Sequence, residues 1–295
     1  MKIGIDLGGS HIAIGVVNEK NCIVEKVEKR LLAKEKNSIK KSIEEYIEEN
    51  INEFSKEYKI SEIGIAVPGT VINNEIVKSV NLGIENYKIV ERLKKKIDLP
   101  IKIRNDAKCA ALAEAKIGAL KDYKRSIFLT LGTGIGGAVI INGELLDTGD
   151  LPGCEFGHII VEKNGIECKC GKKGCFERYA SMKALKNNLR KELGLDETTR
   201  GQELLDMMRK NPQDKKIKKI VDEFIEYLSI GISNLVNIFE PEAVGIGGSF
   251  VYFSDVLLEK LKDNIIEKGY LFNDRKELVI VPAALGNEAG IIGSC

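Results

Sequence analysis

Four side chains that bind soft metals well lie close together in the second half of the chain. Within eighteen residues the sequence supplies one imidazole and three thiols, the kind and number of ligands that close a tetrahedral structural zinc site. Chance clustering of cysteines is an alternative; a redox dithiol is another, although Cys-x-Cys lacks the usual Cys-x-x-Cys spacing. The sequence predicts a structural Zn²⁺ with the ligands His158, Cys168, Cys170 and Cys175.

Two carboxylates lie next to this cluster in the sequence. Glu155 precedes His158 by three residues, and Glu177 follows Cys175 by two. A metal ion that fixes the loop would also fix these side chains. Because carboxylates accept hydrogen bonds from hydroxyl groups, the pattern predicts a site for a polyhydroxylated ligand.

Two segments of the chain resemble each other and share a glycine-rich turn. Residues 7–17 align with residues 131–141, and both read as strand, turn, strand. A tight turn explains either segment alone. Two copies suggest a duplicated lobe whose turns face one cleft, where backbone N–H groups could hold phosphate oxygens.

Two familiar phosphate motifs do not explain these turns. A Walker A loop is absent, since Gly171-Lys172 is followed by Lys173. The dinucleotide fingerprint is matched by residues 132–137, but a strand follows where a helix is required. The remaining interpretation is that Asp6, at a strand end, holds Mg²⁺ while the turns hold the phosphates of a nucleotide. A third glycine pair, residues 247–248, could pass under a base or could equally be a strand-to-helix turn.

Asp106 lies where a short strand gives way to an alanine-rich helix over residues 107–116. An aspartate there is an ordinary N-cap, and the spacing alone favours this interpretation. The alternative is a general base, because amide dipoles at a helix start keep a carboxylate ionised and ready to accept a proton.

The elements that must position these residues are strands and helices in alternation. Apolar runs predict strands, and two amphipathic segments predict helices over residues 38–54 and 213–239. The class is mixed α/β. The predicted strands are Ile3 to Leu7, Ile12 to Val17, Ile63 to Val67, Ile127 to Leu131, Ala138 to Ile141 and Ala243 to Ile246.

Composition excludes several functional classes. The chain has 295 residues, and its 45 basic and 44 acidic side chains nearly cancel, so neither nucleic acid nor a membrane surface is an expected partner. We expect a cytoplasmic, soluble protein, because the N-terminus lacks a signal peptide and no apolar run reaches the roughly 20 residues that span a bilayer. Seven cysteines without an export signal favour a metal site over disulfides.

These motifs together resemble the ROK family of repressors and sugar kinases, within the actin and hexokinase superfamily. The specific signature is Gly157-His158-x-x-Val161, Gly165, Cys168-x-Cys170-Gly171-x-x-Gly174-Cys175-x-Glu177-x-x-x-Ser181. The resemblance extends over essentially the whole chain, from Asp6-Leu7-Gly8-Gly9 through Pro68-Gly69 and Asn105-Asp106 to Gly286-x-x-Ala289-Gly290-x-x-Gly293.

The resemblance implies a two-lobed actin/hexokinase-like fold, a duplicated ribonuclease H-like unit with the ATP cleft between its lobes. The small lobe would be residues 1–117 joined by a C-terminal helix at 284–295, and the large lobe residues 118–283 with a zinc loop at 158–175. Family members are commonly dimers, so a homodimer is expected.

The resemblance also implies a reaction, the transfer of the γ-phosphate of ATP to the 6-hydroxyl of a hexose with Asp106 as general base. His158 would serve both zinc and sugar. The implied sugar-binding residues are Gly69, Asn105, Asp106, Glu155, His158 and Glu177. The implied residues at Mg-ATP are Asp6, Gly8, Gly9, Ser10, His11, Gly132, Thr133, Gly134, Gly247 and Gly248.

Alternatives and departures accompany this assignment. Glucose is the leading substrate, because the full set of sugar residues accompanies a complete zinc loop; N-acetylmannosamine or another hexose is the alternative. A sugar sensor or repressor is less favoured for two reasons. Asn105-Asp106 is intact, and the predicted first strand begins at residue 2, which leaves no room for a DNA-binding domain ahead of it. Polyphosphate as the donor is left open. Ser10-His11 and Asn287 stand where the family usually has Thr-Lys and Asp.

Overall fold

The computed structural model describes residues 1–9, 11–31, 39–146, 153–271 and 278–295. Ser10, predicted at the nucleotide, lies outside the described residues. The chain divides into two compact units. The first comprises Met1–Lys121, Gly143–Gly153 and Leu285–Cys295, and the second Asp122–Asn142 and Cys154–Ala284.

Strands and helices alternate along the chain as the mixed α/β prediction requires. The strands are β1 (Lys2–Leu7), β2 (His11–Val17), β3 (Ile23–Arg30), β4 (Ile63–Val67), β5 (Thr70–Ile72), β6 (Glu75–Ser79), β7 (Ile84–Tyr87), β8 (Ile101–Asn105), β9 (Arg125–Leu131), β10 (Ile135–Ile141), β11 (Glu144–Leu145), β12 (Ala243–Gly248) and β13 (Val279–Pro282). The helices are α1 (Ile39–Glu57), α2 (Ile89–Leu93), α3 (Asp106–Lys116), α4 (Glu177–Ala180), α5 (Met182–Leu193), α6 (Gly201–Lys210), α7 (Lys215–Phe239), α8 (Ser254–Glu267) and α9 (Ala289–Ser294).

The first unit is built on a five-stranded sheet in the order β3-β2-β1-β4-β8. β1 pairs with β2 antiparallel and with β4 parallel, and β4 pairs with β8 parallel. Apolar residues of α1 recur every three to four positions, so one face of the helix is buried in the core with β1 and β4. This core holds the parallel strands in register, and their carboxyl ends lie at one edge of the sheet.

The second unit repeats this arrangement. Its strands lie in the order β10-β9-β12-β13, with β9 antiparallel to β10 and parallel to β12, which is parallel to β13. In both units a hairpin is therefore followed across the sheet by two parallel strands. The duplication predicted from residues 7–17 and 131–141 is confirmed by the common strand order of the two sheets.

Several short elements were not predicted from the sequence. A three-stranded sheet of β5, β6 and β7 follows β4, although its strands of three to five residues carry no periodicity long enough to read. The predicted helices at 38–54 and 213–239 are observed as α1 and α7. Helix α1 ends three residues later than predicted, and α7 begins two residues later and ends at Phe239 as predicted. Among the described residues, no helix combines the length and the apolar character needed to cross a membrane.

Glycines let the C-terminal helix α9 lie directly against the sheet of the first unit. A Cβ atom on Gly64 of β4 would collide with the carbonyl group of Ser294, and one on Gly4 of β1 would collide with that of Ile291. Both obstacles are backbone atoms, which cannot move without displacing the helix. Glycine at these positions therefore fixes the distance between α9 and the sheet.

Gly64→Ala is expected to destabilise the protein by about 1–3 kcal/mol, because the added methyl group must push α9 away from β4. Denaturant unfolding followed by circular dichroism would measure the change. Gly201→Ala is the matched control, since its Cβ would meet the flexible end of Lys186. Equal stability of the two variants would contradict this account of the packing.

Candidate functional site

The predicted site residues of the first unit follow the carboxyl ends of three neighbouring strands. Asp6 and Gly8 lie at the end of β1, Gly69 follows β4, and Asn105 and Asp106 lie where β8 meets α3. Because β1, β4 and β8 are parallel, these ends share one edge of the sheet. The fold thus brings these residues together.

Asn105, and not Asp106, is the N-cap of α3. Its backbone is extended, its Oδ1 accepts hydrogen bonds from the N–H groups of Ala107 and Lys108, and its Nδ2 donates to the Gly69 carbonyl over 3.0 Å. The spacing-based interpretation of Asp106 as the cap is therefore wrong. Asn105 already satisfies the exposed amides, so the Asp106 carboxylate keeps lone pairs for another partner.

Asp106 is the first residue of α3 and its side chain is half-buried. Its Oδ1 accepts one hydrogen bond from the Ala107 N–H, over 2.9 Å. Burial raises the pKa of Asp106 to about 6, with a further increase from the negative charge of Asp6 and an opposing effect of the Ala107 hydrogen bond. A carboxyl group with this pKa is ionised at neutral pH and remains basic enough to accept a proton.

The first glycine turn contains a second acid and a histidine. Burial raises the pKa of Asp6, and the charge of His11 opposes that increase. The His11 ring lies over the turn, since a Cβ atom on Gly8 would stand 2.7 Å from its Cε1. Gly290 of α9 lies equally close to the Asp6 carboxylate, since a Cβ atom on Gly290 would stand 2.6 Å from Asp6 Cγ. Asp6 is thus held between the turn and α9.

In the second unit, the four predicted metal ligands converge on one point. One ligand atom from each of His158, Cys168, Cys170 and Cys175 lies within 4.8 Å of every other. The Cys170 and Cys175 sulfurs are 3.5 Å apart, and the Cys168 sulfur is 3.8 Å from His158 Nδ1. Ligands about 2.3 Å from a tetrahedral ion stand at roughly this spacing from each other. The side chains therefore fit a zinc ion.

The loop that carries these ligands is a tight hairpin. Gly171 and Gly174 have φ values of 90° and 77°, a region that favours glycine. The Tyr179 hydroxyl accepts a hydrogen bond from the Ile166 N–H, and its ring packs on Tyr227 of α7. The loop is thereby fastened to the helical part of its unit.

The ionisation of the ligand thiols depends on their different surroundings. Burial raises the pKa of the Cys175 thiol to about 12. At Cys170, the Lys172 N–H lowers the pKa of the thiol.

Glu177 connects the ligand cluster to the second glycine turn. Its Oε1 accepts a hydrogen bond from the Cys168 thiol over 3.3 Å and lies 4.0 Å from His158 Nδ1. A Cβ atom on Gly134 would stand 2.6 Å from its Oε2. The carboxylate of Glu177 is therefore held between the two features, as the sequence analysis expected of a carboxylate beside the metal loop.

Glu155 and His158 lie at the two ends of one short 3₁₀ turn. Residues Phe156–His158 form this turn, and the His158 N–H donates to the Glu155 carbonyl. Glu155 is exposed, whereas Phe156 between them is buried against Phe239. The buried ring anchors the turn and leaves the two polar side chains at its surface.

The two remaining glycine segments of the second unit lie at one sheet edge; the pair at 247–248 belongs to strand β12 and continues its pairing with β9. β9 ends at Leu131, before residues 132–134, and is parallel to β12, whose last residues are Gly247 and Gly248. Gly248 pairs with Leu131 and has a φ of 69°, and a Cβ atom there would meet the Leu131 carbonyl. The exposed Thr133 lies at the tip of its turn.

The structure thus places the predicted residues in two groups. One group belongs to the first unit: Asp6, Gly8, Gly9, His11, Gly69, Asn105 and Asp106. The other belongs to the second unit: Gly132, Thr133, Gly134, Glu155, His158, Cys168, Cys170, Cys175, Glu177, Gly247 and Gly248. The sequence analysis missed the anchoring role of Tyr179 and the position of Lys186 beside Ser249, because neither residue belongs to a motif that it had examined for chemistry.

Comparison with known proteins gives a consistent picture. The sequence profile of the ROK family matches residues 2–295. A glucokinase of Thermotoga maritima is 33% identical over 310 residues, covering 99% of this chain and 95% of that protein. The ROK hexokinase of Thermus thermophilus has a TM-score of 0.83 at 28% identity, covering 99% and 96% of the two chains. A Streptomyces griseus ROK family glucokinase, solved with glucose and AMPPNP, has a TM-score of 0.79 at 26% identity and covers 99% and 97%.

Proposed function

The chain belongs to the ROK family, and from that membership we propose that it transfers the γ-phosphate of ATP to the 6-hydroxyl of glucose. The observation that carries the proposal is the Asp106 carboxylate, which has a raised pKa and lies beside a capping Asn105 hydrogen-bonded to Gly69. Support comes from the glucokinase relatives and from the related structure that contains glucose and an ATP analogue.

In the proposed reaction, Asp106 accepts the proton of the sugar 6-hydroxyl as the oxygen attacks the γ-phosphorus. The bond from that phosphorus to the β,γ-bridging oxygen breaks, and ADP leaves with the bond electrons. The proton remains on Asp106 until water removes it. Positioning of the hydroxyl supplies much of the rate increase, because phosphoryl transfer needs the attacking and leaving oxygens in line.

For the sugar, we propose hydrogen bonds from the predicted residues Asn105, Glu155, His158 and Glu177. Glu155 and Glu177 accept hydrogen bonds from hydroxyl groups, while Asn105, whose side chain is fixed by α3 and Gly69, orients the ligand beside Asp106. His158 Nδ1 lies 3.8 Å from the Cys168 sulfur. The opposite ring nitrogen, Nε2, is then the one that we assign to a sugar hydroxyl.

For the donor, we propose that Asp6 and the three glycine turns hold Mg-ATP. Mg²⁺ supplies charge neutralisation to the phosphates and is bound through oxygen ligands, which the Asp6 carboxylate provides directly or through water. We also assign Ser10 and His11 of the first turn to the binding of Mg-ATP. Gly132, Thr133 and Gly134 would face the phosphates, and Gly247 and Gly248 the base.

We propose that the four-ligand cluster holds a structural Zn²⁺. Three thiols and one imidazole suit this ion, and all four positions are filled by protein, which is typical of structural sites. The metal's role here is to hold the loop, so that His158 and Glu177 keep their positions. We also propose that the chain is a cytoplasmic homodimer. The lobes predicted at residues 1–117 with 284–295 and at 118–283 stay a proposal, and the observed units differ from them mainly in assigning residues 143–153 to the first unit.

The raised pKa of Asp106 leads to a pH prediction. A general base must be unprotonated, so kcat/KM for the sugar should be half its maximum near a pH of about 6, level off about one unit above that, and fall about tenfold per unit well below it. Initial rates with saturating Mg-ATP from pH 4.5 to 8 would measure the profile. The inflection should barely move with temperature, as for a carboxyl group. An inflection with the large temperature dependence of an imidazole would assign the titration to His11 or His158.

The proposed function is tested by coupled ADP release with Mg-ATP across a panel of sugars. The panel is glucose, N-acetylmannosamine, N-acetylglucosamine, mannose, fructose and allose. We expect glucose to give the highest kcat/KM. A related structure at 26% identity is described as a putative N-acetylmannosamine kinase, and a preference for that sugar would establish the alternative. No turnover with any sugar by a folded, zinc-loaded protein would refute the proposed kinase.

A further inference from the structure

Lys186 occupies a position on α5 next to the third glycine turn. Its Nζ lies 3.4 Å from the Ser249 hydroxyl and 5.3 Å from the centre of the Phe253 ring. Ser249 directly follows Gly248 at the end of β12. The ammonium group therefore lies beside a turn that the proposed function assigns to the donor nucleotide.

The same helix also touches the second glycine turn. The N–H of Lys183 donates to the Gly132 carbonyl over 3.0 Å. Lys186 lies about one helical turn further along α5. The first residues of α5 are therefore hydrogen-bonded to the Gly132 segment. One helical turn later, the same helix places the Lys186 ammonium group beside Ser249. All of these residues belong to the second unit.

Lys186 has no ion-pair partner among the residues that the structure describes. Within the part of the chain that the structure describes, no carboxylate lies within 4.0 Å of its Nζ. Partial burial, and the nearby Arg190 guanidinium, lower the pKa of Lys186. The N-terminus of α6 adds positive potential, because a Cβ atom on Gly201 would stand 3.3 Å from the ammonium nitrogen.

We propose that Lys186 binds a phosphate group of the donor nucleotide. The inference rests on the proposed function, which places the phosphates at residues 132–134 and the base at residues 247–248. Lys186 lies beside Ser249, which follows the second segment, and its helix is bonded to the first through Lys183. A half-buried ammonium group whose neighbours are a hydroxyl and an aromatic ring is stabilised most by a bound anion. In the proposed nucleotide site that anion is a phosphate group. Ser249 and Phe253 hold the ammonium group in place before the ligand arrives.

The test compares Lys186→Met with Lys186→Arg. Methionine keeps the length and packing of the stem but removes the charge, so the dissociation constant of ADP should rise about tenfold, the effect of one charge-assisted hydrogen bond. Arginine should restore most of the affinity. Lys191→Met, which removes an exposed lysine from the same helix, should bind ADP as the unmodified protein does. Calorimetric titration with ADP and with adenosine, in the absence of sugar, would measure these affinities.

An unchanged ADP affinity in Lys186→Met would overturn the inference. So would an equal loss for adenosine and ADP, because the contact would then be with the nucleoside. Zinc content and the thermal unfolding midpoint verify that each variant is folded. Since the titrations need no turnover, a protein that binds ADP through Lys186 yet phosphorylates no sugar would refute the proposed function and leave this inference standing.

Discussion

Asp106→Asn should lower kcat by about 10²–10⁴-fold, the usual contribution of a general base. Asparagine has nearly the shape of aspartate and can still accept the Ala107 hydrogen bond that the carboxylate accepts. The substitution therefore removes proton affinity with little change in packing. The KM for the sugar should change by less than about threefold, because the loss concerns the transition state more than the bound substrate. Steady-state kinetics with glucose and Mg-ATP would measure both constants.

Two controls make this result specific to Asp106. The variant should retain its zinc and its unfolding midpoint, and Asp122→Asn, which changes an exposed aspartate, should keep full activity. Turnover within tenfold of the unmodified enzyme would remove Asp106 from the role of base. In that event Asp6, the neighbouring acid whose charge raises the pKa of Asp106, would be the next carboxylate to replace.

Loss of zinc should have the second large effect. Cys175→Ser removes the most buried of the three cysteines in the cluster, and the metal should be lost, because a structural site needs all four ligands. His158 and Glu177 would no longer be held in position, so we expect the dissociation constant of glucose to rise about 100-fold. Elemental analysis and titration with glucose would measure the two effects.

The control for this experiment is Cys22→Ser, which changes an exposed cysteine of the first unit. It should keep about one zinc per chain and normal sugar affinity. ADP affinity should change little in either variant, since the glycine turns lie on the sheet and not on the hairpin. A Cys175→Ser protein that lacks zinc but binds glucose normally would contradict the proposed link between the metal and the sugar.

The candidate site was predictable from the sequence where its residues are local. Spacing alone selected the ligands at 158, 168, 170 and 175, and the structure brings those side chains together. The strand at Ile63–Val67 was predicted with its exact ends because it is a continuous buried apolar run, whereas β10 begins three residues before the predicted start, where two glycines interrupt the apolar pattern. The repeat at residues 7–17 and 131–141 predicted a duplicated lobe, and the two sheets share the strand order that a duplication would give.

Features that depend on tertiary contacts were not predictable in this way. Asn105 and Asp106 are both good N-caps, and the choice between them follows from the pairing of Asn105 with Val67 and its bond to Gly69. Gly64 reads as an ordinary strand residue until α9 is seen against it. Lys186 is one of many lysines on amphipathic helices, and its position beside Ser249, with no carboxylate partner in the described part of the chain, is seen only in the structure.

Identification of the product from glucose and Mg-ATP tests the central claim most directly. ³¹P and ¹³C NMR of the reaction mixture should show a phosphate ester on carbon 6, formed in equal amount to ADP, and 6-deoxyglucose should release no ADP above the rate without sugar. A phosphate ester on another carbon, or ADP release that is equal with 6-deoxyglucose, would contradict transfer to the 6-hydroxyl.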